Sequence, residues 1–190
     1  MLSLGWHPDF AKALLAKITE LCKTLMGHFL DECGDLIDMI KIGDDLGMQN
    51  SLLMSPKMYR EILKPFHADY LAFIKSRTTA KVFFHTDGDV FPLIPDFIEM
   101  GVDILNPIQT SAGKMSDLEG LKRQFGKDII FCGGIDTHRV VRKEVKRIID
   151  VLGKDGGYML ASVHTVMSDV TPENVLAMVD AVDEFGWYSK

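Results

Sequence analysis

The sequence has few cysteines, no long hydrophobic run and no block of like charges. Its three cysteines, Cys22, Cys33 and Cys132, stand at unrelated spacings without a C-x-x-C pair. This pattern encodes neither a disulfide framework nor a structural zinc knot, and we expect reduced thiols. The apolar stretches are only as long as strands and are cut by charges, which argues against a membrane span. The first residues lack the basic flank and cleavage pattern of a signal peptide, so the sequence predicts a cytoplasmic protein.

The charge balance and the apolar content point to a globular protein. The 190 residues include 21 basic and 27 acidic side chains, for a net charge of −6. Because no basic cluster is present, the chain lacks the electrostatic footprint of a nucleic-acid-binding protein. Hydrophobic residues make up 47% of the sequence, which is enough for a large buried core. We therefore predict a single domain over residues 1–190.

Helical and strand-like segments alternate along the whole chain. Residues 8–30 carry apolar side chains every three or four positions and predict an amphipathic helix. Short apolar segments then recur, and each is followed by a polar cluster and a helical pattern. The predicted strands are residues 35–42, 81–84, 102–105, 129–132 and 158–163. This order predicts five β→α units with parallel strands.

Two α/β folds fit this order of elements. A doubly wound sheet usually carries one phosphate loop after its first strand, whereas here every strand is followed by its own polar cluster. Such even polar decoration favours a (β/α)8 barrel of the TIM type, which collects its active site from the loops after all strands. A barrel needs eight units and typically about 250 residues. The sequence therefore predicts that this chain is the C-terminal part of a barrel, or that another polypeptide closes it.

Residues able to bind a metal follow two of the predicted strands. His85 and Asp87 stand two positions apart after the second strand, and His164 follows the fifth. Two imidazoles and a carboxylate form a ligand set for zinc or another divalent ion. The alternative is that the histidine bonds a loop carbonyl and that Asp87 before Gly88 is a turn residue. Spacing alone does not decide between these readings.

Several short motifs, in a fixed order, resemble the uroporphyrinogen decarboxylase superfamily over nearly the whole chain. They are Ile42-Gly43-Asp44-Asp45-Leu46-Gly47-Met48-Gln49, Ser55-Pro56-x-x-Tyr59 with Lys64-Pro65, His85-x-x-Gly88, Gly101-Val102-Asp103-x-Leu105-Asn106-Pro107, Gly133-Gly134-Ile135-Asp136 and Thr171-Pro172-Glu173-Asn174. The resemblance implies a (β/α)8 barrel that is considerably longer than this chain, which would then be its C-terminal portion.

The resemblance implies one of two chemistries. Uroporphyrinogen decarboxylases remove acetate carboxyls from a tetrapyrrole without a cofactor, as part of porphyrin biosynthesis. Their relatives are methyltransferases that work with a corrinoid protein and commonly use zinc, held by a His-x-Cys pair and a further Cys. The matching positions here are His85, Asp87 and His164, so oxygen and nitrogen replace the sulfur ligands. This harder ligand set resembles that of the demethylase-type members and would suit an oxygen-containing substrate.

The resemblance therefore implies a methyltransferase that moves a methyl group between a small methylated substrate and a corrinoid protein, with help from a divalent metal, expected to be zinc. His85, Asp87 and His164 are the predicted catalytic residues and metal ligands. The predicted substrate-binding residues are Asp45, Gln49, Asn106, Gln109 and Asp136. Decarboxylation of uroporphyrinogen is the alternative activity.

A third interpretation is a non-catalytic barrel fragment that docks on a corrinoid protein. An open barrel exposes the edges of its outermost strands, so we expect either a homo-oligomer or association with an N-terminal barrel portion. One further departure from the family pattern concerns the segment around Val140 and Val141, where relatives carry an additional loop of the Gly-Thr-Pro-Glu type. Its absence predicts a more open rim near Asp136.

Overall fold

The computed structural model describes residues 7–136 and 142–187 as an α/β fold. Strands and helices alternate from the first helix onward. The strands are β1 (Met39–Gly43), β2 (Lys81–His85), β3 (Ile104–Ile108), β4 (Ile130–Ile135) and β5 (Tyr158–Ser162). The helices are α1 (Pro8–Cys33), α2 (residues 56–75), α3 (Ile94–Glu99), α4 (Leu118–Phe125), α5 (Arg142–Leu152) and α6 (Pro172–Phe185), with short 3-10 turns at Phe91–Leu93 and Gly113–Ser116.

Within the described residues, the five strands are parallel and lie in the order β1-β2-β3-β4-β5. Strand order follows chain order without the reversal that defines a doubly wound sheet. Right-handed crossovers in one constant direction place all helices on the same face, as in a (β/α)8 barrel. The predicted fold class, part of such a barrel with five βα units, is confirmed.

The two faces of the sheet differ in what they bury. The face toward the helices forms the main core, where Val82, Phe84, Leu105 and Phe131 pack against helix side chains. The opposite, concave face carries a small second cluster of Phe83, Ile104 and Cys132. Alternation along each strand assigns neighbouring residues to opposite faces. His85 therefore shares the concave face with Phe83, and Asn106 shares it with Ile104.

Helix α2 contains an irregular turn just before Pro65. It begins as Pro56–Met58, widens into a π-helical turn at Tyr59–Leu63 and continues as Lys64–Lys75. Proline cannot donate the usual helical hydrogen bond. In the turn before it, the amide of Lys64 donates to the carbonyl oxygen of Tyr59, five positions earlier, whereas an α-helix would use the residue four positions earlier. The sequence predicts a disturbance at Pro65, and the structure shows it as this π turn.

A buried ion pair joins α2 to α3. Asp96 is only 4% exposed and accepts three hydrogen bonds from Arg60 and one, of 2.8 Å, from Lys64. Burial alone would raise the pKa of Asp96, but the hydrogen bonds and charges of Arg60 and Lys64 outweigh it and lower that pKa. The pair therefore stabilises the packing of these helices most strongly when the carboxylate is ionised.

Helix α1 begins at residue 8, as predicted, and continues to Cys33, beyond the predicted end at residue 30. Its apolar stripe faces outward. Its buried residues are Ala11, Gly27 and Leu30, and small residues allow α1 to approach α2 closely. Six apolar side chains that repeat along the other side of the helix are each at least 46% exposed within the described structure: Phe10, Leu14, Ile18, Leu21, Leu25 and Phe29. An exposed apolar stripe of this length is typical of an interaction surface.

Some sequence-based bounds differ from the structure. Strand β1 begins at Met39 rather than at residue 35, because its partner β2 begins at Lys81 and the two pair in register from there. The predicted start of α5 at Val140 and the departure around Val141 lie outside the described residues. Among the described helices, none is both long and apolar enough to cross a membrane.

Candidate functional site

Three side chains that can bind a metal meet at the carboxyl ends of β1 and β2. Asp45, His85 and Asp87 each place one ligand atom within 4.8 Å of the others. Nε2 of His85 lies 3.8 Å from Oδ2 of Asp87, and both side chains are partly buried. Asp45 is more exposed and lies on the loop after β1. Parallel register brings the two strand ends together, because Gly43 pairs with His85.

The loops after β1 and β2 are joined by their backbones, which fixes the two carboxylates relative to each other. The amide of Asp87 donates to Oδ1 of Asp45 over 3.1 Å. The amide of Gly47 donates to the carbonyl of Asp87, and the amide of Asp89 donates to the carbonyl of Met48. The carboxylates of Asp45 and Asp87 lie on different loops, and these hydrogen bonds hold them close together.

Buried Thr86 adds another link between these loops. Its side chain is fully buried and its hydroxyl accepts a 3.1 Å hydrogen bond from the amide of Leu46. Its own amide donates to the carbonyl of Asn106 on β3. Thr86 therefore links the end of β2 to the loop after β1 and to strand β3. No sequence signal distinguished this threonine from other loop residues.

His85 is also held from the opposite side of its ring. Nδ1 of His85 lies 2.8 Å from Oδ1 of Asn106. The amide nitrogen of Asn106 in turn reaches the carbonyl oxygen and Sγ of Cys132, each at 3.5 Å. Burial raises the pKa of the Cys132 thiol. The thiol is therefore protonated at neutral pH and serves as a packing group.

A second chain of contacts holds the residue next to Asp45. The carboxylate of Asp44 lies 3.0 Å from Nε2 of His67, and Nδ1 of His67 lies 3.2 Å from the hydroxyl of Tyr59. Because Asp44 only accepts, Nε2 of His67 donates to it, and in the neutral ring Nδ1 then accepts from the Tyr59 hydroxyl. Burial, followed by the charges of Asp96 and Asp44, raises the pKa of Tyr59. Nothing in the sequence around His67 indicates this contact.

The predicted ligand His164 lies elsewhere. It is exposed and follows β5, which is separated from β2 by two strands of the sheet. Among the described residues, the side chain that joins His85 and Asp87 within 4.8 Å is Asp45, and His164 does not belong to that group. Asp45 was predicted to bind substrate rather than metal. The metal role of His164 stays a prediction.

Gln49 and Gln109, two of the predicted substrate-binding residues, link the loops of the rim. The side-chain oxygen of Gln109 accepts a 2.8 Å hydrogen bond from the amide of Gly88. The side-chain amide of Gln49 donates to the carbonyl of Ser111, and the two glutamine side chains are 3.5 Å apart. These contacts place both residues beside the loop that carries Asp87.

Asp136, the remaining predicted substrate-binding residue, lies at the far end of the rim. It follows β4 and lines a cavity of about 310 Å³ together with Thr110, Ser111 and Arg147. That cavity lies between the loop after β3 and helix α5. Its lining does not include Asp45, His85 or Asp87. The binding role of Asp136 stays a prediction.

The fold and the site together define a βα-barrel protein with a candidate metal centre where such barrels carry their chemistry. Comparison with known protein families identifies the family within this class. The model of the uroporphyrinogen decarboxylase (URO-D) family matches residues 4–185. The chain therefore belongs to the uroporphyrinogen decarboxylase family, and the family resemblance stated from the sequence is confirmed.

Individual relatives share parts of the chain. Uroporphyrinogen decarboxylase from Methylococcus capsulatus is 29% identical over 76 residues, and that from Vesicomyosocius okutanii is 31% identical over 75 residues; the matches cover 37% and 36% of this chain. Each match spans 22% of the relative's length. A methyltransferase structure from Methanosarcina mazei superposes with a TM-score of 0.58 at 23% identity, covering 79% of this chain and 43% of its own. That likeness supports the shared fold.

Proposed function

We propose that this chain is part of a metal-dependent methyltransferase that moves a methyl group between a small methylated substrate and a corrinoid protein. The convergence of Asp45, His85 and Asp87 within 4.8 Å at the carboxyl ends of the strands carries this proposal. A decarboxylation without cofactor has no need for such a ligand set. The structural likeness to a methyltransferase from Methanosarcina mazei agrees with the proposal.

The three side chains fit a divalent metal. Two carboxylates and one imidazole offer oxygen and nitrogen ligands of the kind that zinc accepts, and three protein ligands leave room for a substrate atom. Nδ1 of His85 is engaged with Asn106, so Nε2 is the ring atom that faces Asp87. A bound divalent cation would act as a Lewis acid on the heteroatom that carries or receives the methyl group.

The protein itself would supply positioning. The hydrogen bond from the Asp87 amide to Asp45 keeps the two carboxylates together. Gln49 and Gln109 border the same loops and would orient a polar substrate group. In the direction toward the corrinoid, the reduced corrinoid of the partner protein would supply the electron pair for the new bond to the methyl carbon, while the bond from that carbon to the heteroatom breaks. The heteroatom keeps the electrons of the broken bond.

Metal analysis followed by a methyl-transfer assay tests the proposal. Purified wild-type chain and the His85→Ala variant are loaded with zinc, dialysed and analysed for bound metal. We expect about one zinc per wild-type chain and a strong loss in the variant, because a ligand is removed. Methyl transfer to cob(I)alamin is then measured with a panel of methoxylated and methylated compounds.

The controls separate the two parts of the proposal. His28→Ala, at a site on α1 distant in the chain from these strands, should bind zinc like the wild type. Equal zinc binding by wild type and His85→Ala would refute the metal site. Undiminished methyl transfer by metal-free protein would refute the metal requirement.

Decarboxylation remains a second candidate because the curated relatives with 29% and 31% identity are uroporphyrinogen decarboxylases. Those matches cover just over a third of this chain. Uroporphyrinogen is therefore included as a substrate in the same assay. Release of CO2 from uroporphyrinogen without zinc, together with no methyl transfer from any compound, would favour this candidate.

A further inference from the structure

The Asn106 side chain lies between the ring of His85 and the backbone of β4. It is only 8% exposed. His85 and Asn106 are register partners on β2 and β3, and Cys132 follows on β4. The contacts are 2.8 Å from Oδ1 of Asn106 to Nδ1 of His85 and 3.5 Å from Nδ2 to the carbonyl oxygen of Cys132. These residues form a hydrogen-bonded row across three strands.

The carbonyl of Cys132 decides which way the amide of Asn106 points. A carbonyl oxygen can only accept a hydrogen bond, so the group that faces it has to be the NH2 group of Asn106. The reverse orientation would place two oxygen acceptors against each other in a buried position, which costs free energy. Oδ1 of Asn106 is therefore the atom that faces His85. This assignment follows from the hydrogen-bond partners.

The orientation of the amide decides the tautomer of His85. Since Oδ1 only accepts, Nδ1 of a neutral His85 carries the hydrogen and donates it. Nε2 then has a free lone pair. The competing tautomer would carry its hydrogen on Nε2, aimed at the carboxylate of Asp87, but that oxygen is 3.8 Å away, beyond hydrogen-bond distance. The 2.8 Å partner at Nδ1 is the stronger one.

We propose that Asn106 is a positioning residue that holds His85 in its Nδ1–H tautomer and aims the Nε2 lone pair between Asp45 and Asp87. Its role in metal binding rests on the proposed function, whereas the tautomer does not. A histidine with its hydrogen on Nε2 cannot bind a metal through that atom. Asn106 therefore acts through His85, and its role in substrate binding stays a prediction.

Nitrogen NMR of the histidine rings tests the tautomer directly. Protein labelled with 15N-histidine is measured at about pH 8, above the usual titration range of imidazole, and the His85 signals are assigned with His85→Gln. We expect protonated Nδ1 and unprotonated Nε2 in the wild type. Asn106→Leu, which removes the acceptor, should shift His85 toward the Nε2–H form. Asn106→Asp, which loses the donor to Cys132 but keeps an acceptor beside His85, should leave His85 in the Nδ1–H form.

Zinc affinity provides the second measurement. Loss of a group that orients a metal-binding histidine typically weakens binding by about 10–100-fold, and we expect this for Asn106→Leu. Asn106→Asp should retain most of the affinity. Asn50→Leu, a matched substitution at an exposed loop asparagine, should change neither the tautomer nor the affinity. Circular dichroism checks that each variant is folded.

The outcomes separate this inference from the proposed function. Wild-type His85 in the Nε2–H form would overturn the inference, even if the Asn106 variants failed to fold. An unchanged tautomer in folded Asn106→Leu would also overturn it. If the tautomer behaves as expected but the wild type binds no zinc, the positioning by Asn106 stands and the metal-dependent function fails.

Discussion

A single methyl group at Gly88 should disrupt the candidate metal site, because this glycine lies where the loops after β1 and β2 touch. Its φ is +89°, a conformation that favours glycine. A Cβ there would lie 2.4 Å from the carbonyl carbon of Gly47 and 2.5 Å from the amide nitrogen of Met48. Both are backbone atoms, so no side-chain rotation relieves the overlap. The Gly88→Ala variant must move the loops apart.

The cost has two parts. A left-handed backbone conformation costs a residue with a Cβ about 1–2 kcal/mol. Separation of the loops also breaks the hydrogen bonds between Gly47 and Asp87 and between Asp89 and Met48, each worth about 1 kcal/mol. We therefore expect Gly88→Ala to lower the free energy of unfolding by about 3–4 kcal/mol.

Gly156 supplies the matched control. Its φ is +84°, but a Cβ there would meet no atom within 4 Å. Gly156→Ala therefore carries the cost of the left-handed backbone alone, about 1–2 kcal/mol. Urea unfolding of wild type and both variants measures the difference, which should be about 2 kcal/mol. The comparison removes the backbone contribution that the two substitutions share.

Zinc binding of the same variants connects stability to the site. The 3.1 Å hydrogen bond from the Asp87 amide to Asp45 depends on the contact between the loops. Folded Gly88→Ala should therefore bind zinc more weakly, and Gly156→Ala should bind it normally. Equal stability of the two variants together with unchanged zinc affinity would refute the reasoning that loop contact positions the carboxylates.

Three further predictions concern the third ligand, the ion pair and the exposed stripe. Asp45→Asn should weaken zinc binding roughly 30-fold, equivalent to about 2 kcal/mol, while His164→Ala should change it little; the reverse result would make His164 the ligand. Asp96→Asn should lower the free energy of unfolding by about 2 kcal/mol at pH 7. The pKa of Asp96 in the folded state is lowered. The difference in unfolding free energy, measured by urea titration, should therefore shrink as the pH falls below 3.8, the usual pKa of this carboxyl group. A difference independent of pH would contradict the role of the ion pair. Leu14→Glu and Leu25→Glu should reduce self-association in sedimentation velocity without loss of stability, and a monomeric wild type would contradict this expectation.

The order of elements was predictable because it depends on local pattern. Thr171 before Pro172 predicts a helix start, and in the structure its side chain accepts a hydrogen bond from the amide of Asn174. Ser55 before Pro56 does the same for α2. The start of β1 was wrong because strand length is set by the partner strand, and the partner is not visible in a local pattern.

The site was predictable only in part for the same reason. The pair His85 and Asp87 lies within one strand end, so its spacing alone indicates two neighbouring ligands. Asp45 joins them through the register of β1 with β2 and through backbone hydrogen bonds between two loops. Such contacts depend on tertiary structure. The orientation of the Asn106 side-chain amide also depends on a tertiary contact, the hydrogen bond to the Cys132 carbonyl on the next strand.

The position of the three candidate ligands at the ends of β1 and β2 predicts that metal binding and the proposed methyl transfer can be separated. β1 is an edge strand of the described sheet, and α1 beside it exposes its apolar stripe. A polypeptide that pairs with β1 would lie next to Asp45 and complete the wall around the site. Zinc binding needs only ligands that this chain already brings together, so the isolated chain should bind zinc. Methyl transfer should rise when a polypeptide carrying the preceding barrel units is added, because substrate enclosure depends on that wall. Equal transfer rates with and without that polypeptide, at saturating zinc, would show that the isolated chain already encloses its substrate.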